Sequence, residues 1–509
     1  MIPGYFAMGI WLVLPPILFS YFRPHVAALL TFMSAVLFLP ERLGFDLPLL
    51  PPMGKDELAS VACMVCCLAF APARLMRARP LRGPEILVVV LAAGTVVSVV
   101  LNQDVLRYGA FVVPGTGLTD AIQAVLAVVF TWGFPFLIGR AYFTRASDLR
   151  DLFVILIFAG LVYSLLILFE IRMSPRLHLA VYGYHQHGFS QTIRGDGSYR
   201  PMVFMRHGLN LSLFVVMSMT SAWILVRTRY PLPIVPFVPK LAAAVYLTAI
   251  LLLCRSTASM LYGLLLLGLV YFVASSRIRL WVAAAFAVLA LAYPALRSAQ
   301  LLPVEEIVQL AEENFGRERA ESMAGRLRTE EELTMFIQGR PIFGWATAGR
   351  AMVIDEFTGE NKTIFDGYWL IEFVSKGVVG FVCVFGLLLW PVFDAVGKVG
   401  AIRSKQDRMM ISGLSLMVAI HVLDLLANSP TEGYLTLLSG ALAGSVFGVL
   451  REQRVLDRSM RAGPLPTDST PAARGSGAGH AATDGSKPTL GQSLLGPSSK
   501  GKLRRPRDT

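Results

Sequence analysis

Residues 240–276 read KLAAAVYLTAILLLCRSTASMLYGLLLLGLVYFVASS, two apolar runs joined by a short polar segment around Arg255. Apolar runs suited to crossing a bilayer core of about 30 Å recur along most of the 509-residue chain. Overall, 55% of the residues are apolar and 16% are charged, well below the share of about a quarter typical of soluble domains. This composition excludes a disordered chain, a collagen-like fibre and a disulfide-stapled secreted module. We predict an all-α, polytopic membrane helical bundle.

Thirteen apolar segments are predicted to span the membrane. Their bounds are 4–22, 25–40, 57–73, 84–101, 119–139, 151–170, 207–226, 240–254, 258–276, 280–296, 367–390, 409–427 and 434–450. The predicted bundle is residues 1–450, with long loops at 171–206 and 298–365. Residues 451–509 form a basic tail with 11 basic and 5 acidic residues, and from Gly463 onward its composition predicts disorder.

The short loops fall into two sets that share the basic residues unequally. One set, on the side of the tail, holds seventeen Lys and Arg residues, and the other set holds nine. The tail side is therefore predicted to be cytoplasmic, and the two long loops are predicted to face outward. The net charge of +12 combines this basic side with an acidic 298–365 segment, a pattern that indicates two membrane sides rather than a nucleic-acid partner.

The 298–365 loop is predicted to be partly helical. Pro303 can open one helix. Thr329 and Glu332 have the spacing of a capping box and predict the start of a second helix, which ends at Gly339. Structured loops of this size are usually functional.

Charged residues at membrane depth cost free energy, so each one is a candidate for function. Arg255 could hold an anionic group such as a diphosphate through two parallel N–H bonds, or it could be an arginine that snorkels to the interface. Glu372 and Lys376, at i and i+4, predict a structural ion pair. His421 and Asp424 are secondary candidates for proton transfer, with a buried satisfied pair as the alternative.

The 171–206 loop is cationic and aromatic. His185 and His187 could ligate a metal, but no third ligand follows at a useful spacing. Contacts to a sugar ring suit this mixture of side chains better, and a solvated loop near the leaflet surface is the remaining interpretation. The five cysteines lie in apolar stretches and are interpreted as packing residues. No metal site is predicted.

Three stretches occur in an order that resembles the bacterial O-antigen ligase and polysaccharide polymerase membrane family. They are Leu251-Leu-Leu-Cys-Arg-Ser256; Gly325-Arg326 through Gly339-Arg-Pro-Ile-Phe-Gly-Trp345; and Asp366-Gly-Tyr-Trp-Leu-Ile-Glu-Phe-Val-Ser-Lys-Gly-Val-Val-Gly380. The segment 199–208 resembles the family's arginine before a small-residue turn. The resemblance covers roughly residues 195–385 together with the overall topology.

The chain departs from the family pattern at Asp366 and Gly367, where the ligases have His and Asn. Gln338-Gly339-Arg340 also replaces the Asn expected before the proline. These departures favour a polymerase over a ligase.

The resemblance implies an inner-membrane glycosyltransferase that moves or polymerises an oligosaccharide from undecaprenyl diphosphate at the periplasmic face. Cations must stabilise the leaving diphosphate, and the available cations are Arg200, Arg206, Arg255 and Arg326. The catalytic candidates are Asp366 and Arg255, and the candidates for binding diphosphate or glycan are Arg200, Arg206, Arg326 and His207. Neither a metal nor another cofactor is expected. The expected partners are the lipid-linked oligosaccharide, membrane lipids, and polysaccharide export or chain-length machinery.

Two other classes remain as alternatives. A transporter or flippase of lipid-linked oligosaccharide would usually show internal repeats with broken helices in matching positions, and no such halves are evident in the sequence. An assembly partner would only bind the polymer through its outer loop. The outward-facing arginines near helix ends favour the enzyme.

Overall fold

The computed structural model is almost entirely helical. It describes residues 2–79, 81–109, 111–193, 197–228, 230, 239–354, 360–429 and 432–461. Helices account for 74% of the chain, and a two-stranded hairpin pairs Leu106–Tyr108 with Phe111–Val113 in the described part. Most of the predicted tail, residues 462–509, lies outside the described residues. The all-α prediction is therefore confirmed.

The described residues form nineteen α-helices. In chain order they are α1 (Gly4–Trp11), α2 (Leu14–Tyr21), α3 (Pro24–Phe38), α4 (Lys55–Phe70), α5 (Pro72–Arg77), α6 (Ile86–Val100), α7 (Leu118–Val128), α8 (Phe134–Tyr142), α9 (Ala146–Met173), α10 (Leu177–Tyr182), α11 (Gly208–Val226), α12 (Lys240–Leu253), α13 (Thr257–Tyr271), α14 (Ser276–Ser298), α15 (Val304–Phe315), α16 (Arg317–Gly339), α17 (Tyr368–Lys398), α18 (Lys405–Ala427) and α19 (Gly433–Arg461).

Eight helical segments in the described residues are long and apolar enough to cross a membrane, and four shorter apolar helices accompany them. One of the eight combines α1 with α2, and another combines α7 with α8 across a π-helical turn at Val129–Gly133. The helices α11, α18 and α19 are the most enclosed of these segments. In each, an apolar stretch of 18 residues is 83%, 94% and 83% buried, respectively. A helix that is apolar on all sides belongs in the interior of such a bundle. The chain is therefore a polytopic helical membrane protein.

Loop contacts group the helix ends into two sets. At one end, the amide of Tyr368 donates to the carbonyl of Asn428 at 3.2 Å, and the amide of Gly433 donates to Asp56 at 3.1 Å. At the other end, the Nζ of Lys240 donates to the carbonyl of Leu225 at 3.1 Å. We call the first end the loop end, because loops 171–206 and 298–365 both lie there.

The predicted capping box at Thr329 and Glu332 is wrong. The helix α16 begins at Arg317, after Gly316 with its φ of +87°, and continues without a break through Thr329 to Gly339. The Thr329 hydroxyl donates to the carbonyl of Gly325 at 3.1 Å, a bond made within a helix rather than at its start. The predicted helix after Pro303 and the predicted end at Gly339 are both confirmed.

Helix α17 is interrupted at Gly377, whose φ of +65° and ψ of −160° are not helical. The groups freed by the break bond to the segment after α16. The amide of Trp345 donates to the carbonyl of Val374 at 2.8 Å, and the amide of Val378 donates to the carbonyl of Pro341 at 2.8 Å. Two of the stretches quoted above, 339–345 and 366–380, are thus packed directly on each other.

Candidate active site at the loop end

The segment 201–205 is inserted into the bundle rather than lying on its surface. Met202, Val203 and Met205 are buried. The Glu170 carboxylate, at the end of α9, accepts hydrogen bonds from the amides of Met202 at 2.8 Å and Val203 at 2.7 Å. A carboxylate that satisfies consecutive amides in this way fixes the backbone, because unpaired buried N–H groups are costly. This insertion positions the flanking cationic residues.

Arg200, Arg206 and His207 flank the inserted segment. His207 caps α11, and its Nδ1 accepts from the amide of Leu209 at 3.1 Å. Arg200 packs over Gly208, since its Cδ lies 2.4 Å from the place where a Cβ of residue 208 would stand. Arg206 is exposed and lines a cavity near the starts of α4 and α19.

Arg255 lies in the tight turn between α12 and α13, with a positive φ of +52°. Its side chain is exposed and donates to the Ser198 hydroxyl at 2.5 Å. The hydroxyls of Ser212 and Ser259 are 2.9 Å apart and join α11 to α13 beneath this turn. The structure thus brings Arg255 to the same loop as Arg200.

A cavity of about 410 Å³ opens at the loop end beside Arg206. It lies between the loop after α3, the start of α4, the π-turn before α8 and the start of α19. Its charged lining residues are Glu41, Arg42, Lys55, Asp56, Glu57, Arg206 and Glu432. Trp132 and Leu435 contribute an apolar wall. Of the four arginines singled out in the sequence as candidates, Arg206 lines this cavity in the described residues, whereas Arg200, Arg255 and Arg326 are outside its lining.

Lys55 organises the buried side of the cavity. Its ammonium contacts the Glu41 carboxylate at 2.5 Å and donates to the carbonyls of Val36 at 2.9 Å and Phe204 at 3.4 Å. Lys55 is 4% exposed. Since an ammonium has three N–H donors, these three contacts use all of them and tie the cavity to the inserted segment.

Glu432 stands opposite, just before α19. One carboxylate oxygen accepts from the Asn210 amide at 2.9 Å, while the other, Oε2, is buried without a hydrogen-bond partner among the described residues. Burial raises the pKa of Glu432 well above its usual range, because removal from water penalises the charged form.

Asp366 is half-buried two residues before α17 begins and is outside the cavity lining. The neighbouring Gly367 is packed so closely on the end of α18 that a Cβ would lie 2.3 Å from the carbonyl oxygen of Leu426. The next residue, Tyr368, has its ring centroid 6.0 Å from that of Trp132 in the cavity wall. Asp366 therefore lies on the segment that leads to this wall.

Arg326, His421 and Asp424 form a separate group around the end of α18. The Arg326 guanidinium donates to the carbonyl of Ala427 at 3.4 Å. Asp424 accepts from the Asn428 amide at 2.9 Å, and the ring of His421 lies against Tyr434 with centroids 5.4 Å apart. The imidazole and the carboxylate thus have different partners, and His421 Nδ1 has no hydrogen-bond partner among the described residues, so the two side chains do not form the buried satisfied pair that was the alternative interpretation.

The histidines of the 171–206 loop also separate. His187 stacks edge-on against His207, with centroids 4.9 Å apart, whereas His185 lies near Phe189 at 5.4 Å. Burial, together with the positive charges of Arg42 and Arg206, lowers the pKa of His187. In the part of the chain that the structure describes, no three His, Cys, Asp or Glu side chains are grouped so as to hold a metal ion.

The predicted Glu372–Lys376 ion pair is present in α17, with Lys376 Nζ 2.8 Å from Glu372 Oε2.

Sequence reasoning missed the carboxylates of the cavity. Glu41, Asp56 and Glu57 flank a short loop, and Glu432 lies more than 370 positions away along the chain. The available signal was the cluster Lys55-Asp56-Glu57 at the start of an apolar segment, where charged groups cost free energy.

Neither protein-family models nor curated proteins give a match to the chain when compared with it.

Proposed function

We propose that the protein transfers or polymerises a lipid-linked oligosaccharide at the loop end of the bundle. The observation that carries this proposal is a polar cavity at one end of a membrane bundle, with exposed arginines at its rim and carboxylates inside. A lipid diphosphate and a hydroxyl-rich glycan are the substrates that such a combination suits. The function expected from the family resemblance is the same.

The arginines would stabilise the leaving group. Arg42 and Arg206 line the cavity. Arg200 and Arg255 lie near it, Arg200 against Gly208 and Arg255 against Ser198. Guanidinium groups bind phosphate oxygens through paired N–H bonds, and fixed cations lower the energy of a transition state that develops negative charge on a diphosphate. Arg326 and His207 would bind glycan or diphosphate farther along the same end.

The acceptor hydroxyl needs a proton acceptor. Asp366 occupies the position of the family's histidine and lies on the segment next to Trp132. A carboxylate placed within hydrogen-bond reach of the acceptor can take its proton as the sugar bond forms. The departure from the ligase pattern at this residue favours polymerisation.

The proposed location is the bacterial inner membrane, with the loop end in the periplasm. The opposite end holds most of the Lys and Arg residues of the short loops, and such a bias marks the cytoplasmic side. The lipid-linked precursor would then arrive within the outer leaflet, and the product would pass to export or chain-length machinery.

A transporter of lipid-linked oligosaccharide is the second candidate. The observation in its favour is the break in α17 at Gly377, since transporters often build binding sites at interrupted helices. Here, however, the freed backbone groups bond to residues 341–345, which leaves the break occupied by protein.

Polymer formation in cells tests the enzyme proposal. Arg206→Ala and Arg255→Ala should abolish polymer while the protein still inserts and accumulates. Arg451→Ala is the matched control, because Arg451 is an exposed arginine on α19. Normal polymer in both loop-end variants would overturn the assignment of these arginines.

A further inference from the structure

Glu432 presents a buried carboxylate oxygen to the cavity without a partner. The residue is 4% exposed, it lines the cavity, and its Oε2 atom has no hydrogen-bond partner among the described residues. A buried carboxyl group with an unpaired oxygen costs considerable free energy unless something completes its hydrogen bonds. The arrangement therefore indicates a ligand that makes hydrogen bonds at this point.

The donor groups of Asn210 and Lys55 beside Glu432 already have partners. The Asn210 amide occupies the other oxygen of Glu432 at 2.9 Å, and the three N–H groups of Lys55 are directed to Glu41, Val36 and Phe204. Asp56 accepts from the amide of Gly433 at 3.1 Å. The Oε2 atom of Glu432 is thus left for a ligand, and the buried Asn210 Oδ1 and Tyr434 hydroxyl likewise have no hydrogen-bond partner among the described residues.

We infer that this cavity is a sugar-binding subsite, in which the Glu432 carboxyl group and the neighbouring acidic side chains exchange hydrogen bonds with the hydroxyls of a neutral sugar ring. Four acidic side chains line the space and outnumber the three basic ones, which disfavours an anionic group there. The exposed Arg42 and Arg206 stand at the rim instead. A sugar ring supplies several hydroxyl donors at once, and Trp132 offers it an apolar wall.

The size of the cavity agrees with this ligand. Its volume of about 410 Å³ falls within the range of about 300–1,000 Å³ common for small-molecule sites. Given the proposed function, on which this assignment rests, the occupant is the acceptor end of the glycan, while the diphosphate of the donor remains with the arginines at the rim.

Sugar binding without turnover tests the inference. The full-length protein in nanodiscs would be titrated with the methyl glycosides of glucose, galactose, mannose and N-acetylglucosamine, and binding would be read by saturation-transfer NMR. We expect at least one glycoside to bind the wild type. Glu432→Leu, which has no polar atom at this position, should weaken that binding about tenfold, the effect of losing the hydrogen bonds of one buried carboxyl group. Glu452→Leu should leave it unchanged, since Glu452 is exposed on α19.

A second measurement uses the wild type alone, in case the variant fails to fold. Labelling of carboxyl groups with a carbodiimide, mapped by mass spectrometry, should be suppressed by the bound glycoside at Glu432 and unaffected at Glu452. Absence of binding by all four glycosides, equal binding by Glu432→Leu, or equal labelling of Glu432 with and without sugar would overturn the inference. Since no lipid diphosphate is present, sugar binding that persists in a protein without transferase activity would contradict only the proposed function.

Discussion

Gly377 and Ile342 are in backbone contact, with the carbonyl carbon and oxygen of Ile342 each 2.3 Å from the place where a Cβ of residue 377 would stand. The contact is matched from the other side, because a Cβ on Gly344 would lie 2.5 Å from the carbonyl carbon of Ser375. Both glycines have a positive φ, of +65° and +67°. The broken helix and the turn after α16 therefore form one interlocked unit.

Gly377→Ala should destabilise the protein by more than the cost of an unfavourable φ alone, which is about 1–3 kcal/mol, because the new Cβ must also displace the backbone of Ile342. The thermal midpoint in detergent should fall clearly. Gly268→Ala in α13 is the control, since a Cβ there meets nothing within 4 Å and alanine favours the helix. Equal midpoints for the two variants would show that the interlock is unimportant.

The Glu372–Lys376 pair should act as a unit. Glu372 is 2% exposed and also accepts from the Tyr368 hydroxyl at 2.6 Å. Lys376→Met should cost about 3–5 kcal/mol, because it leaves a buried charge without its partner, and Glu372→Gln combined with it should recover part of the loss. A double-mutant cycle from thermal unfolding measures the coupling. The exposed Arg317–Glu321 pair at 2.8 Å should show no measurable coupling, and a similar result for both pairs would contradict this account.

Glu432 should make stability depend on pH. Its pKa is raised in the folded protein, whereas in the unfolded chain it should return to about 4.3. The folded state then holds the proton over a pH range in which the unfolded state has released it, so stability falls as the pH rises above that ordinary value. Glu432→Gln should remove this pH-dependent loss of folding stability. The substitution should therefore stabilise the protein more at pH 8 than at pH 5.

Thermal unfolding of the wild type, Glu432→Gln and the exposed-site control Glu452→Gln at the two pH values checks this prediction. The difference between wild type and Glu432→Gln should widen toward alkaline pH, while Glu452→Gln follows the wild type. A constant difference between wild type and Glu432→Gln at both pH values would contradict the buried, proton-binding carboxyl.

Local features of the fold were predictable from the sequence because they depend on neighbouring residues. Apolar runs identified the helices, and Gly339 followed by Pro341 identified the end of α16. The capping box at Thr329 was wrong because the same short pattern also fits inside a helix, where Thr329 bonds back to Gly325. The helix starts thirteen residues earlier, directly after Gly316.

The candidate site was less predictable because its parts come from distant positions. The pairing of Asn210 with Glu432 and of Lys55 with Glu41 depends on how the helices pack, which no spacing in the sequence records. Arginines were identifiable as costly charges near apolar segments, but the sequence did not indicate that Arg206 faces the cavity while Arg326 lies against α18. The break in α17 showed only as the glycines Gly377 and Gly380.

Conversion of a lipid-linked repeat by the purified protein tests the central claim most directly. The protein in nanodiscs would receive an undecaprenyl diphosphate-linked oligosaccharide in the presence of EDTA, and the product would be analysed by size. The proposed arginine-dependent transfer predicts a ladder of longer chains, with Arg206→Ala and Arg255→Ala inactive and Arg451→Ala active. The absence of new glycosidic bonds, or strict dependence on an added metal ion, would contradict it.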